Sequence, residues 1–364
     1  MRILRFELRK LVQAPMFWIF IALSIAFNAF YINANLMMQH RRHFNTLSRE
    51  VAISGEYTDP EIGNIFEYYR GEIFAENIIN AMELTGIAEW LMRAKYERLD
   101  LVAAEFAEQN VSYYIYAGGE WGRDTVDLHL FLFRDIMRMV FAQVIIFAAL
   151  ALLYLLGHER QNKTESVVYH TKVGRKIMRH KYAAGLLFGA VGFAMITGGT
   201  LATFFSLWDF SGFWRANVSS GNHYIVDFVS GTRPFITWQS FTVAEFLTAT
   251  LILGFFLTMV FTGIAGVIGL LFRNTYLAAS IFGLSLFTTF FLFVLFQNIG
   301  ASTLFIIFIF SPVMLWFGSF QWFTDMGNMG IVPWHETWTI VFNLVLLAIS
   351  TAIAGRRFSR KDMV

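Results

Sequence analysis

MVFAQVIIFAALALLYLLG, residues 139–157, contains no Asp, Glu, Lys, Arg or His. At 1.5 Å per helical residue a run of about 20 apolar residues crosses the roughly 30 Å of hydrocarbon in a bilayer, so this stretch reads as a membrane-spanning helix. Further runs of the same character place spans at 14–37, 136–157, 182–207, 242–272, 275–297 and 337–355. Composition agrees, since 56% of the 364 residues are hydrophobic and only 15% charged, with 41 Phe and 10 Trp, outside the range of an ordinary soluble domain. The basic start Met1-Arg2-Ile3-Leu4-Arg5 resembles a secretory leader, yet the run behind it is long enough to span and no Ala-x-Ala pattern closes it, so it is expected to remain as the first span.

Orientation follows from the basic residues. Arg2, Arg5, Arg9 and Lys10 precede the first span; Arg160, Lys163, Lys172, Arg175, Lys176, Arg179 and Lys181 lie around the second connection; Arg273 lies in the fourth; Arg356, Arg357, Arg360 and Lys361 follow the last span. These segments hold more than half of the 28 Lys and Arg, and the positive-inside rule places them, with both termini, in the cytoplasm. An even number of crossings follows. That parity decides the apolar stretch 301–316, whose alternative reading is a seventh helix. Residues 300–336, with Pro312 at the centre and polar turns at Gly318 and 325–328, are expected to form a re-entrant or outer hairpin packed against protein.

Between the first two spans, residues 38–135 hold most of the 26 Asp and Glu. Ile62, Ile65, Phe66, Tyr69 and Ile73, and then Leu84, Ile87, Ala88 and Leu91, recur at helical spacing, so a small helical extracellular domain is expected there. A second outer segment, 208–241, is rich in Gly, Ser and aromatics and reads as an interfacial cap, with Trp208, Trp214 and Trp238 suited to the aromatic belt. The fold class expected is thus an all-α integral membrane protein with six transmembrane helices, a helical extracellular insert after the first, and an outer or re-entrant hairpin before the sixth.

Several chemistries are excluded. No Gly-Lys pair occurs, so a phosphate-cradling P-loop is absent; no His-Glu-x-x-His occurs, so a zinc-protease site is absent; and with zero Cys there is neither a disulfide framework nor a thiolate nucleophile. The eight His residues read as solvated surface groups, and no metal, cofactor or catalytic residue is expected. The apolar runs that define the spans hold no charged group, with Arg138 and Glu245 just at their outer ends, so no ion relay is visible. Asn28, Gln143, Thr197, Thr200 and Asn343 read as helix-to-helix hydrogen-bonding residues. Gly185, Gly189, Gly192 and Gly199, and Gly263, Gly266 and Gly269, mark close helix packing, either within the chain or against a second copy.

Two basic segments point to a partner. In residues 1–13, Arg2, Arg5 and Arg9 share one helical face and Ile3, Leu4, Leu8, Leu11 and Val12 another, which describes an amphipathic entry helix at the membrane surface. The connection 158–181 carries Glu159 and Glu165, then Tyr169-His170-Thr171-Lys172, then Gly174-Arg175-Lys176, and finally Lys181. In that order the chain resembles the permease subunits of the type-2 ABC exporter class, which carry acidic positions, a Thr-rich segment, a Gly-Arg core and a final Lys leading into the third span. Lys163 stands before Thr164 where that class has Gly. The plan of the whole chain, from entry helix to outer hairpin and a tail at 356–364, is also similar.

The resemblance implies that 158–181 is a coupling loop docking on a separate ATP-binding subunit, present in two copies, with Glu159, Glu165, Thr171, Gly174, Arg175, Lys176 and Lys181 as ATPase-coupling residues. It implies a second permease subunit, identical or homologous, a prokaryotic cell membrane, surrounding lipids and no nucleic-acid partner. The activity expected is outward transport of a substrate, with a peptide or amphipathic antimicrobial as one class that the acidic insert suits. The alternative is a membrane sensor or assembly scaffold whose ectodomain binds a ligand.

Overall fold

The computed structural model describes residues 2–35, 41–54, 65–109, 124–169, 174, 177–227, 231–272, 274–299 and 301–360. Six of its helices are long and apolar enough to cross a membrane. They are α2 (Pro15–Ala34), the composite of α6 (Asp124–Leu130) and α7 (Met137–Gln161), α9 (Ile177–Leu207), α10 (Val243–Leu271), α11 (Thr275–Asn298) and α14 (His335–Arg360). α6 runs into α7 through a π-helical turn at Phe131–Ile136. Helix starts are set locally. Pro15 sits at the first turn of α2; Thr242 and Glu245 form a reciprocal capping box on α10; and the Asn274 side chain accepts the Tyr276 and Leu277 amides on α11.

α7 is the central post, buried along most of its length against α9 and α10, whereas α11 and α14 leave most of their surface to the surroundings. The glycine stripes explain how closely these helices approach. A Cβ on Gly185, Gly189 or Gly192 would collide with Leu152, Ala148 or Phe147 of α7, and one on Gly199 with Ile25 of α2. Gly263, Gly266 and Gly269 likewise face Leu347, Tyr182 and Leu156. Both stripes are therefore used inside this chain. Asn28 donates to Gln143 at 2.9 Å and to Thr200 at 2.7 Å, and Gln143 donates back at 2.7 Å, tying α2, α7 and α9 together as interhelical polar contacts do.

Residues 301–334 do not make a seventh span. α12 (Ser302–Ile309) covers only about 12 Å at 1.5 Å per residue. α13 (Pro312–Phe317) and two 3-10 turns follow, and the segment packs against α7, α10, α11 and α14. Of the insert, α3 (Arg41–Ser54), α4 (Gly71–Ala81) and α5 (Ile87–Gln109) are helical.

The all-α, six-span class stands as expected, the 208–241 segment gains a detail, and two expectations need correction. The 208–241 segment contains an antiparallel hairpin, β1 (Ser220–Asp227) and β2 (Gly231–Phe235), with Ile225 opposite Arg233, so the fold is all-α apart from this ribbon. Trp208 and Trp238 do not face lipid; both are buried, Trp208 against Phe44 and Phe204. His129 and His335 are buried rather than solvated. His129 packs on Phe133 and Phe246, while a ring nitrogen of His335 meets the Ile309 carbonyl at 3.2 Å.

Candidate coupling site

The entry helix, α1 (Arg2–Val12), lies against the ends of α7 and α9. Arg2, Arg5 and Arg9 point outward, Leu11 is buried, and Leu4 and Leu8 are half-buried, as the amphipathic pattern requires. On its inner face, however, α1 also carries Glu7, which is fully buried. An isolated carboxylate there would be costly, and the fold supplies partners.

Lys10 donates to both Glu7 oxygens, at 2.8 and 2.9 Å, and to Oε1 of Glu159 at 2.7 Å. Oε2 of Glu159 takes the Lys181 ammonium, which also donates to the Leu155 carbonyl at 2.5 Å. Lys181 is fully buried, Glu159 is 3% exposed and Lys10 retains only slight exposure. Two carboxylates and two ammonium groups thus alternate across α1, α7 and α9, and their charges cancel. Pulling any one of these helices away would leave an unpaired buried ion, a penalty of several kcal/mol, so the three are fastened as one unit.

The turn behind this cluster is shaped by the same residues. The Thr164 amide bonds the Glu159 carbonyl at 2.9 Å and the Lys163 amide bonds that of Arg160 at 3.1 Å, a Schellman ending that requires a left-handed residue at Lys163, whose φ is 55°. Lys163 therefore holds the conformation that glycine favours, at the position where the resembled class has glycine. Arg160 reaches sideways. It pairs with Glu165 at 3.2 Å, donates to the Phe272 carbonyl at the end of α10 at 3.2 Å, and lies over the Phe358 ring of α14. Beyond the turn, the short helix α8 (Glu165–Tyr169) presents Ser166 and Val167 outward, with Val167 69% exposed.

Glu159 and Lys181 are thus brought together, but not on a loop. α7 extends to Gln161 and α9 begins at Ile177, so the connection is 162–176 and both residues sit on helix ends, which also means that the long helices do carry charge. Glu165 stands apart from them, paired with Arg160. Gly174 has φ 49°, so the break before α9 is a left-handed turn that suits glycine. Thr171, Arg175 and Lys176 lie outside the described residues. Lys10 and Arg160 enter the sequence reading only as orienting charges, and Glu7 not at all. The available signal was Glu7 itself, a lone acid three residues before Lys10 in an otherwise basic opening.

Comparison with known protein families, curated proteins and solved structures finds no match. Fold and site together define a multi-pass α-helical membrane protein whose terminal amphipathic helix is bolted to two spans by a closed ion cluster.

Proposed function

We propose that the chain is the permease subunit of an ATP-driven exporter of the ABC type, powered by ATPase subunits made as separate polypeptides. The observation that carries this reading is the Glu7–Lys10–Glu159–Lys181 cluster, which joins the amphipathic α1 to both helices flanking α8. A partner pressing on α8 and α1 moves one fastened body, not three independent helix ends. The exposed α8, the left-handed breaks at Lys163 and Gly174, and the order of acidic, Thr-rich, Gly-Arg and Lys positions support the same reading.

In this reading both termini are cytoplasmic in a prokaryotic cell membrane. Two permeases, identical or homologous, enclose the path, and two ATPase subunits dock on 162–176. Closing of the ATPases on ATP drives the cluster-bound helices and reorients the spans to release substrate outward. The permease contributes shape and pathway and leaves nucleotide chemistry to its partner, in keeping with the absence of a Gly-Lys pair.

The test is purification of the tagged full chain from membranes of its own cells in mild detergent. A co-purifying polypeptide with a P-loop, in equal amount and with ATP turnover, is expected. Val167→Asp, an exposed change that leaves the core untouched, and alteration of Gly174-Arg175 should each release it. Recovery and turnover unchanged in both variants would refute the docking site. A wild-type complex with no ATPase would refute the exporter and favour the ectodomain sensor.

A further inference from the structure

At the end of the molecule opposite α1, α5 of the insert drives a lysine into the outer hairpin. Lys95 has no solvent exposure. Its ammonium donates to the carbonyls of Gly327 and Gly330, each at 2.8 Å, and of Asp325 at 3.2 Å, and lies 4.4 Å from the centre of the Tyr96 ring. These carbonyls converge because the backbone is tightly coiled. Phe323, Met326 and Gly327 have φ of 64°, 53° and 54°, and a Cβ at Gly330 would sit 2.8 Å from the Asp325 carbonyl oxygen. The Asp325 carboxylate is engaged by Arg233 Nε at 2.8 and 3.1 Å and by the Tyr96 hydroxyl at 2.6 Å, and Arg233 also donates to Gln321 at 2.8 Å.

Three acceptors facing three N–H donors, with an aromatic ring beside them, is the geometry that recognises a primary ammonium ion. A guanidinium presents a planar fork and a quaternary ammonium has no N–H to give, so neither matches three converging carbonyls. The insert's α4 and α5 pack on each other, and Lys95 and Tyr96 are two of the contacts that join α5 to the hairpin.

We propose that residues 325–330 form a binding site for a primary ammonium group, filled in this conformation by the protein's own Lys95, and that a ligand bearing such a group displaces Lys95 and frees α5 from the outer face. The exchange conserves charge at the cage, because one ammonium leaves as another enters; Arg233 stays with Asp325 and Gln321, while the Tyr96 hydroxyl leaves Asp325 with α5. The ligand chemistry is an alkylammonium, supplied either by a small amine or by the lysine side chain of a peptide. The site stands independently of the exporter reading, since it requires neither an ATPase nor a direction of transport.

Lys95→Ala deletes Cγ, Cδ, Cε and Nζ, which are the heavy atoms of n-propylammonium. In the full chain in detergent, the thermal midpoint should fall by several degrees and be restored by n-propylammonium but not by n-propanol, guanidinium or tetramethylammonium. No restoration, or equal restoration by all four, overturns the cage. A second arm keeps Lys95 intact and therefore stands even if Lys95→Ala does not fold. Met326→Cys introduces a buried thiol into a chain without natural Cys. Pentalysine or n-propylammonium should raise its maleimide labelling severalfold, while tetramethylammonium should not. A response to pentalysine alone assigns the peptide source, a response to both assigns the small amine as sufficient, and labelling indifferent to either overturns the displacement.

Discussion

The two ends of this molecule each bury a charge cluster, and the clusters are balanced in different ways. At the α1 end, two carboxylates meet two ammonium groups in one alternating row, Glu7, Lys10, Glu159 and Lys181. At the opposite end, Arg233 and the Tyr96 hydroxyl donate to the Asp325 carboxylate, Gln321 accepts from Arg233, and Lys95 is held by backbone carbonyls alone among the bonds described. The first is closed, since each member needs a specific opposite charge. The second is partly open, because a carbonyl cage accepts any ammonium of the right shape. In the two proposals above, the closed cluster is the one that fastens helices and the open one the one that exchanges ligands.

The sharpest way to break this comparison is to remove the carboxylate that two lysines share. Glu159→Gln leaves the fully buried Lys181 with neutral acceptors only, and is expected to lower stability by roughly 3–5 kcal/mol, the usual consequence of breaking a buried ion pair. Detergent-solubilised protein followed by thermal unfolding measures it. Adding Lys181→Met should recover most of the loss, because a pair replaced by uncharged groups leaves no orphan charge. Failure of the double variant to recover would show that the cluster is not a self-contained unit.

Asp325→Asn probes the other end and is expected to cost about 3 kcal/mol, since Arg233 is buried there and retains Gln321. The Tyr96 phenol, pushed well above its usual pKa first by burial and then by the Asp325 charge, remains a donor across the physiological range. Asparagine still accepts from it, so the loss should be smaller than at Glu159. An equal or larger loss would reverse the distinction between closed and open clusters. Lys10→Ala is expected to cost a comparable amount, roughly 3 kcal/mol, because Glu159 keeps Lys181 but the fully buried Glu7 loses Lys10. Its more telling readout is protease access to α1, which should rise, since Lys10 is the bridge from that helix to α7.

The two clusters also differed in how far they could be read from sequence. The spans were legible because uncharged runs of that length have few alternatives, and charge parity set aside 301–316, which folds as short helices and turns. Glu159 and Lys181 were legible as positions, though not as helix ends, because the apolar run stops before α7 does. The ribbon at β1 and β2 was missed. Tyr224-Ile225-Val226 followed by Gly231-Thr232 was its signal, overshadowed by the surrounding glycine and aromatic residues. Lys95 was illegible in principle. A lysine in an acidic helix reads as solvated surface, and the carbonyls that bury it come from backbone 230 to 235 residues away, which no side-chain pattern encodes.

The smallest expected effect concerns the hinge of the closed cluster and has the opposite sign. Lys163 holds a left-handed conformation at the Schellman position, where a Cβ crowds the following carbonyl. Lys163→Gly should therefore raise stability by about 1 kcal/mol, less the extra freedom that glycine has in the unfolded chain. It leaves the Thr164–Glu159 and Lys163–Arg160 backbone bonds in place. If the turn serves only to set Glu159 against Lys10 and Lys181, the glycine variant should be more stable and keep full ATPase recovery. A gain in stability with a loss of recovery would show that the Lys163 charge itself touches the partner, and would extend the closed cluster's role from fastening helices to recognition. A loss of stability would refute the strain account of this turn.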